Sequence, residues 1–146
     1  MTREVISHFI FFSERVLGLL ELKWAKVVYP QDKLLCETDV LARLETKDGK
    51  CVNILASVGG AQPDRQEMTV RGTTKSRRIS EFYKDSESNG LEFIPLREEP
   101  KDPRAVSLKA QLDDLEKAYN GHPNKLATVD EALRVQVLIE SILASN

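Results

Sequence analysis

His8 stands in EVISHFIFF, residues 4–12, and is one of two histidines in a chain of 146 residues. An imidazole takes up and releases a proton near neutral pH, so a histidine that faces a cleft can act as a general base or acid. Flanked by isoleucine and phenylalanine, His8 equally suits a partly buried helix position with a structural role. Both readings stand on the residue alone. A second set of capable side chains follows Gly59-Gly60, where Gln62, Asp64 and Arg65 lie in a loop and can approach a small molecule or cap the loop itself. A third surrounds Gly72-Thr73-Thr74, where Arg71, Lys75, Arg77 and Arg78 form a basic cluster. Such a cluster is a phosphate or carboxylate site, or an ordinary solvated face. Arg77 and Arg78, adjacent in a strand, would face opposite sides of it. His122, beside Pro123, reads as structural, and no cysteine and histidine cluster has metal-ligand spacing.

The elements that must position these residues follow from periodicity. Residues 2–17 are expected to be a helix that Thr2 can cap, with Val5, Phe9, Phe12 and Val16 recurring at helical spacing and Gly18 as the stop. A helix that begins almost at the first residue suggests that something precedes it, because free ends fray. Residues 20–29 alternate as a strand, with Leu20, Leu22 and Trp24 on one side and Glu21 and Lys23 on the other, until Pro30 ends it.

Residues 37–46 and 51–58 read as a hairpin across KDGK. A two-residue Asp48-Gly49 turn would set Leu44 opposite Asn53 and mix apolar with polar residues on both faces. A three-residue loop, Lys47 to Gly49 with Gly49 left-handed, sets Leu44 opposite Val52 and Ala42 opposite Ile54 and gathers the apolar residues onto one face. In that register Cys51 lies opposite Glu45, with Cys36 roughly 30 Å along the sheet at about 3.3 Å per residue, so both thiols are expected to be free.

Strands are expected at 66–72 and 77–83, a polar loop over 85–90, and a weaker strand at 91–96 limited by Pro95. Then the period changes. Asp102-Pro103 opens a helix with Leu108, Leu112, Leu115 and Tyr119 in a stripe, and Thr128 with Glu131 opens another that carries Ala132, Val135, Ile139 and Ile142. Both stripes are expected in the core. The order of helix, strands, then two helices predicts an α+β fold, with an antiparallel-rich open β-sheet and helices packed on one face. Leu41, Leu55 and Val27 are expected on the uncovered face, as an oligomer surface or as scattered exposed residues.

Length predicts a single domain over 1–146 with one core. With 41% apolar and 30% charged residues the composition is that of a globular chain, and a net charge of −2 gives no field for a nucleic-acid backbone. No apolar run reaches the roughly 20 residues of a membrane span. No secretory signal is visible, which predicts a cytoplasmic protein.

Four segments, REVISHFIFFSERVLG, TKDGKCVNILASVGG, EMTVRGTTKSRRISEF and LATVDEALRVQVLIESIL, occur in an order that resembles the carboxy-terminal domain of the Gfo/Idh/MocA oxidoreductase family. The resemblance spans essentially the whole chain. It implies the substrate-binding and oligomerisation half of an NAD(P)-dependent oxidoreductase acting on a sugar, polyol or related hydroxy compound. The family's Rossmann domain looks absent: no G-x-G-x-x-G follows a strand, and the lysine of the family's E-K-P motif is missing. The family's first helix carries an aspartate and a histidine four residues apart, which by resemblance makes Glu4 and His8 the catalytic pair here.

Residues at that spacing share a helix face, so His8 could accept a hydroxyl proton while Glu4 orients the imidazole. Glu4 replaces the usual aspartate, and Phe11 stands where many members have a second acid; Glu4 is also a favourable first-turn acid. Gln62, Arg65 and Arg77 are the expected substrate contacts. The isolated chain is then expected to bind no cofactor, NAD or NADP entering only with a Rossmann domain in cis or in trans, and to be inactive alone. Homo-oligomers are expected through the open sheet face, with neither nucleic acid nor membrane as a partner. The alternative is a stand-alone binding or dimerisation module that kept the fold without the chemistry.

Overall fold

The computed structural model describes residues 1–32 and 35–145. The chain forms two compact units, Met1–Gln62 with Ala127–Asn146 and Pro63–Leu126. In the first, a π-helical turn Thr2–Ile6 runs into helix α1, Ser7–Leu17, and strands β1 (Leu20–Val28), β2 (Asp39–Thr46) and β3 (Cys51–Ser57) form an antiparallel sheet in the order β1-β2-β3. The hairpin has the expected register, Leu44 opposite Val52 and Ala42 opposite Ile54, with Gly49 at φ +85°. Only that register puts Val52, Ile54 and Ala56 on the face that Val40, Ala42 and Leu44 share. Cys51 pairs with Glu45, and both cysteines are exposed free thiols.

That face is closed by α1 and by the last helix, labelled α3 because α2 precedes it in the second unit. Helix α3, Val129–Leu143, starts at Thr128 with both bonds of the capping box to Glu131 in place. Val135, Leu138, Ile139, Ile142 and Leu143 then pack with Ile6, Ile10, Val40 and Leu44 in one core.

Two details of the first unit differ from expectation. Thr2 does not cap α1: its N–H donates to the Glu37 carboxylate, so a residue 35 positions away satisfies the helix start and no local cap is needed. The buried line of the helix is Thr2, Ile6, Ile10 and Ser13, while Phe12 and Val16 are exposed. The apolar arc of this segment is broad enough to hold both the expected line and the buried one, so period alone did not select between its two margins. Ser13 is tolerated there because its hydroxyl donates to the Phe9 carbonyl at 2.7 Å.

The second correction lies in β1. Its pairing with β2 shifts between Leu22 and Trp24, a β-bulge at Lys23. One extra residue reverses the alternation. Leu20 and Leu22 face the core before the bulge, and Ala25 and Val27 face it afterwards, so Val27 is buried and Trp24, opposite Arg43, stands on the open face. The open face therefore carries Trp24, Leu41 and Leu55, which are 54%, 43% and 82% exposed, and not Val27.

In the second unit β4 (Glu67–Arg71), β5 (Ser76–Ser80), β6 (Lys84–Ser88) and β7 (Ile94–Pro95) form an antiparallel sheet in sequence order, followed by helix α2, Pro103–Tyr119. The sheets are antiparallel and open, as expected, but they are two rather than one. The strand expected at 77–83 ends at Ser80, and the expected polar loop over 85–90 is largely strand β6. The turn between them holds Glu81 and Phe82 at φ +51° and +63°. Hairpin turns of this hand normally use asparagine and glycine, so Glu-Phe gives no turn signal. KDSES lacks the β-branched residues that mark a strand.

Asp102 caps α2 by accepting the Ala105 N–H, as its sequence predicts, but the helix has no buried residue. Leu108, Leu112 and Leu115 are each more than half exposed and Tyr119 is 91% exposed. The expectation of a core stripe is therefore corrected for α2 and holds in α3 for Val135, Ile139 and Ile142, though Ala132 is exposed. Helical periodicity identifies an apolar face; it does not supply the layer that covers it.

This difference predicts unequal costs for like substitutions. Leu44→Ala, in a fully buried position, should cost about 2–5 kcal/mol, and Leu112→Ala about 0.5 kcal/mol or less, by urea unfolding of the two variants.

Candidate functional site

Glu4 and His8 are both exposed, on the side of the first helix turned away from the buried line Thr2, Ile6, Ile10 and Ser13. The helix is held to α3 by two bidentate ion pairs. Arg3 donates from Nε and Nη2 to the Glu140 carboxylate, both at 2.8 Å, and Arg15 donates to Glu131 at 3.0 and 2.9 Å. Since the earlier arginine meets the later glutamate, the two helices run antiparallel. Exposed pairs of this kind are screened by solvent and add little to stability, and their geometric fork fixes register instead.

Farther along α1 the Arg15 guanidinium lies over the Phe11 ring at 4.6 Å. A cavity of about 80 Å³ opens there, lined by Phe11, Glu14, Arg15, Leu19, Glu131 and Arg134. Glu14 accepts the Leu20 N–H at 3.2 Å and has the Arg134 Nε at 3.8 Å. The pocket holds two arginines and two glutamates that answer one another, and its volume suits a few waters rather than a sugar. Sequence reasoning missed this cluster. Glu131 was legible only as a capping residue, and the partners come from segments more than 100 positions apart.

The other expected contacts belong to different parts of the molecule. Gln62 is exposed at the end of the first unit's long segment, whereas Arg65 and Arg77 belong to the second unit. Arg65 donates to Glu67 at 3.0 Å. Arg77 donates to Asp85 at 2.8 and 3.4 Å and lies 3.7 Å from Glu87; the Asp85 hydrogen bond raises its pKa. Arg78, on the opposite face of β5, stacks over Phe93 at 3.7 Å and meets Glu67 at 3.4 Å, and Lys75 meets Glu87 at 2.7 Å. These four cations of the two basic stretches are thus engaged by neighbouring carboxylates. Glu4 lies in the π-helical turn and His8 in the first turn of α1 that continues it, whereas in the other unit Arg65 precedes β4 and Arg77 lies in β5.

A dinucleotide would need free N–H groups at a helix start after a glycine-rich turn. Each helix start here already has its own oxygen partner: Glu37 for the first helix, Asp102 for α2, and Thr128 with Glu131 for α3. The residues described do not fit a pyrophosphate. Among them, no group of three or more histidine, cysteine, aspartate or glutamate side chains could hold a metal ion, and no helix is long and apolar enough to cross a membrane.

No family model matches the sequence, and no curated protein does either. Solved structures do match. A dehydrogenase (MviM) from Clostridium difficile superposes with TM-score 0.75 at 12% identity, over 94% of this chain and 45% of that one. The chain has the fold of less than half of that protein. KijD10, a 3-ketoreductase from Actinomadura kijaniata solved with TDP-benzene and NADP, matches with TM-score 0.69 at 17% identity, over 99% of this chain and 46% of its own. The WlbA dehydrogenase from Bordetella pertussis, solved with NADH and UDP-GlcNAcA, gives 0.67 at 15% identity, over 94% and 43%. This chain spans less than half the length of each, and the likeness is one of fold.

Two carboxylates in the first unit lie far below their ordinary range. Burial raises the Glu37 pKa, but hydrogen bonds from Thr2 and from its own backbone outweigh it and bring it from 4.5 to about 2. The Arg15 guanidinium, then the Thr128 N–H, bring Glu131 to about 2. Depressed carboxylate pKa values stabilise the fold above the unfolded value and lose that effect as pH falls toward the folded one. Thermal unfolding should therefore show a midpoint that drops between about pH 4.5 and pH 2, and Glu131→Gln should make the drop shallower.

Proposed function

We propose that this chain is the substrate-binding and oligomerisation half of an NAD(P)-dependent oxidoreductase acting on a sugar, polyol or related hydroxy compound, and is not competent alone for hydride transfer. The observation that carries this reading is the match of nearly the whole chain to less than half of MviM, KijD10 and WlbA. KijD10 was solved with NADP and WlbA with NADH, each with a nucleotide-linked ligand. In this reading residues 1–146 are one carboxy-terminal type of domain, and the nicotinamide cofactor that accepts or donates the hydride is held by a Rossmann domain outside them.

The role of this chain's own residues is proton transfer and positioning. His8 accepts the proton of a substrate hydroxyl, and Glu4, four residues earlier, orients the imidazole. Gln62, Arg65 and Arg77 contact the substrate. Arg65 and Arg77 do so by exchanging Glu67 and Asp85 for ligand oxygens. The full carboxylate pairing of those arginines favours a second reading, a binding or dimerisation module that kept the fold without the chemistry. Joined to a cofactor domain, His8→Ala should lower kcat by about 10²–10⁴-fold under the first reading, and steady-state kinetics reads the loss directly. Unchanged kcat removes His8 from the reaction, and no turnover by the joined wild-type protein selects the second reading.

Calorimetry with NAD and NADP on the isolated chain should give no binding heat, and tight binding of either would overturn the division of labour. Oligomers form through the open face of the β1-β2-β3 sheet, where Trp24, Leu41 and Leu55 are exposed. Sedimentation should show a dimer or tetramer, which Leu41→Lys weakens by placing a charge in the contact; a monomer at high concentration refutes this interface.

A further inference from the structure

Among the described residues the two sheets have four edges, formed by β1, β3, β4 and β7. An edge strand presents unpaired backbone donors and acceptors, and soluble proteins guard such edges with bulges, charges, proline or shortness. Strand β1 has the bulge at Lys23 together with Lys23 and Lys26. Strand β4 carries Glu67 and Arg71 in five residues, and β7 is two residues long and contains Pro95. Strand β3, CVNILAS, runs for seven residues with no charged side chain and no proline, and its pairing with β2 is regular throughout.

The direction of its backbone groups follows from the hairpin. Thr46 donates to the Lys50 carbonyl and Val58 to the Thr38 carbonyl, so the even-numbered residues between them, Val52, Ile54 and Ala56, turn their N–H and C=O toward β2. Cys51, Asn53, Leu55 and Ser57 turn theirs outward. All four are exposed, Leu55 at 82%.

We infer that the outer edge of β3 is an interaction surface for β3 of a second copy of this chain, which pairs with it antiparallel across a two-fold axis at Ile54. The chemistry that recognises this edge is another extended backbone. A copy of the same strand fits for two reasons. The neutral strand meets no like charge in its copy, whereas β1 would bring lysines together. The two-fold also sets Cys51 against Ser57 and Asn53 against Leu55, all with outward backbone groups, and Val52 against Ala56 on the core side, so both the hydrogen bonds and the faces match. This edge contact is separate from the face contact proposed above and needs neither His8 nor a cofactor domain.

Amide hydrogen exchange on the full chain, at low micromolar and at near-millimolar concentration, tests it. The Asn53, Leu55 and Ser57 amides should be slowed at least about tenfold more at the higher concentration, while Val52, Ile54 and Ala56 are protected at both. Outward amides whose rates do not depend on concentration would overturn the proposal. Asn53→Pro removes one outward N–H without touching the β2 ladder and should halve the mass of the largest species in sedimentation. Asn53→Ala, which keeps that N–H and loses only the side chain that accepts from Arg43, should associate like the wild type. Association by Asn53→Pro equal to wild type, or dissociation of both variants, would reject edge pairing, and Leu41→Lys reports separately on the face.

Discussion

Strand β2 is hydrogen-bonded on both sides, and on its inner face Val40, Ala42 and Leu44 are almost wholly withdrawn from water. A strand in this position can be covered only by helices that bring a continuous apolar surface, and Ile10 of α1 with Ile139 and Ile142 of α3 supply it. The chain must leave the first unit after β3 and return for α3, so residues from its two ends complete the layer that buries β2. The small three-stranded sheet would have little reason to persist without that layer, because a hairpin and one further strand bury too little alone. The ion pairs between α1 and α3 lie at the margin of this core and govern how the helices align rather than whether they bind.

Helix starts are settled within the chain as well. Each of the three is answered by a carboxylate or hydroxyl of the protein, one of them Glu37 from a distant loop. Elsewhere such a start can serve a phosphate group of a ligand, because the same N–H groups and the same end of the helix dipole attract any anion. Here internal oxygens answer one or two of the N–H groups at each start.

Features written in adjacent residues were legible. The three-residue hairpin loop followed from requiring one apolar face, and the α3 capping box from Thr128 and Glu131. Features that depend on a choice between equal local options were not. The first helix has a broad apolar arc, so tertiary packing selected Ile6 and Ile10 at one margin of it over Phe12 and Val16 at the other. The Glu81-Phe82 turn adopts a backbone that those residues rarely take, and β6 is held by ladder bonds rather than by β-forming side chains. In α2 the apolar stripe was visible and its exposure was not. For the candidate site, the placement of Glu4 and His8 on one helix could be read directly. The partners of Arg15, Arg65 and Arg77 depended on strand pairing and helix contact, to which residue order gives no direct access.

The bulge at Lys23 gives β1 two phases of alternation in nine residues. In an unbulged strand a point substitution changes one side chain and leaves every other where it was. Here the count of residues is itself a structural element: loss of one position at residue 23 would only make the strand regular, with Leu22 still opposite Leu44 and Trp24 still opposite Arg43, whereas loss of one position farther along either half would turn the residues beyond it to the other face unless the bulge absorbed the change. Related chains that keep this fold can therefore differ in length by this one residue without changing which side chains meet the core, so that the bulge is where the strand tolerates a gain or loss.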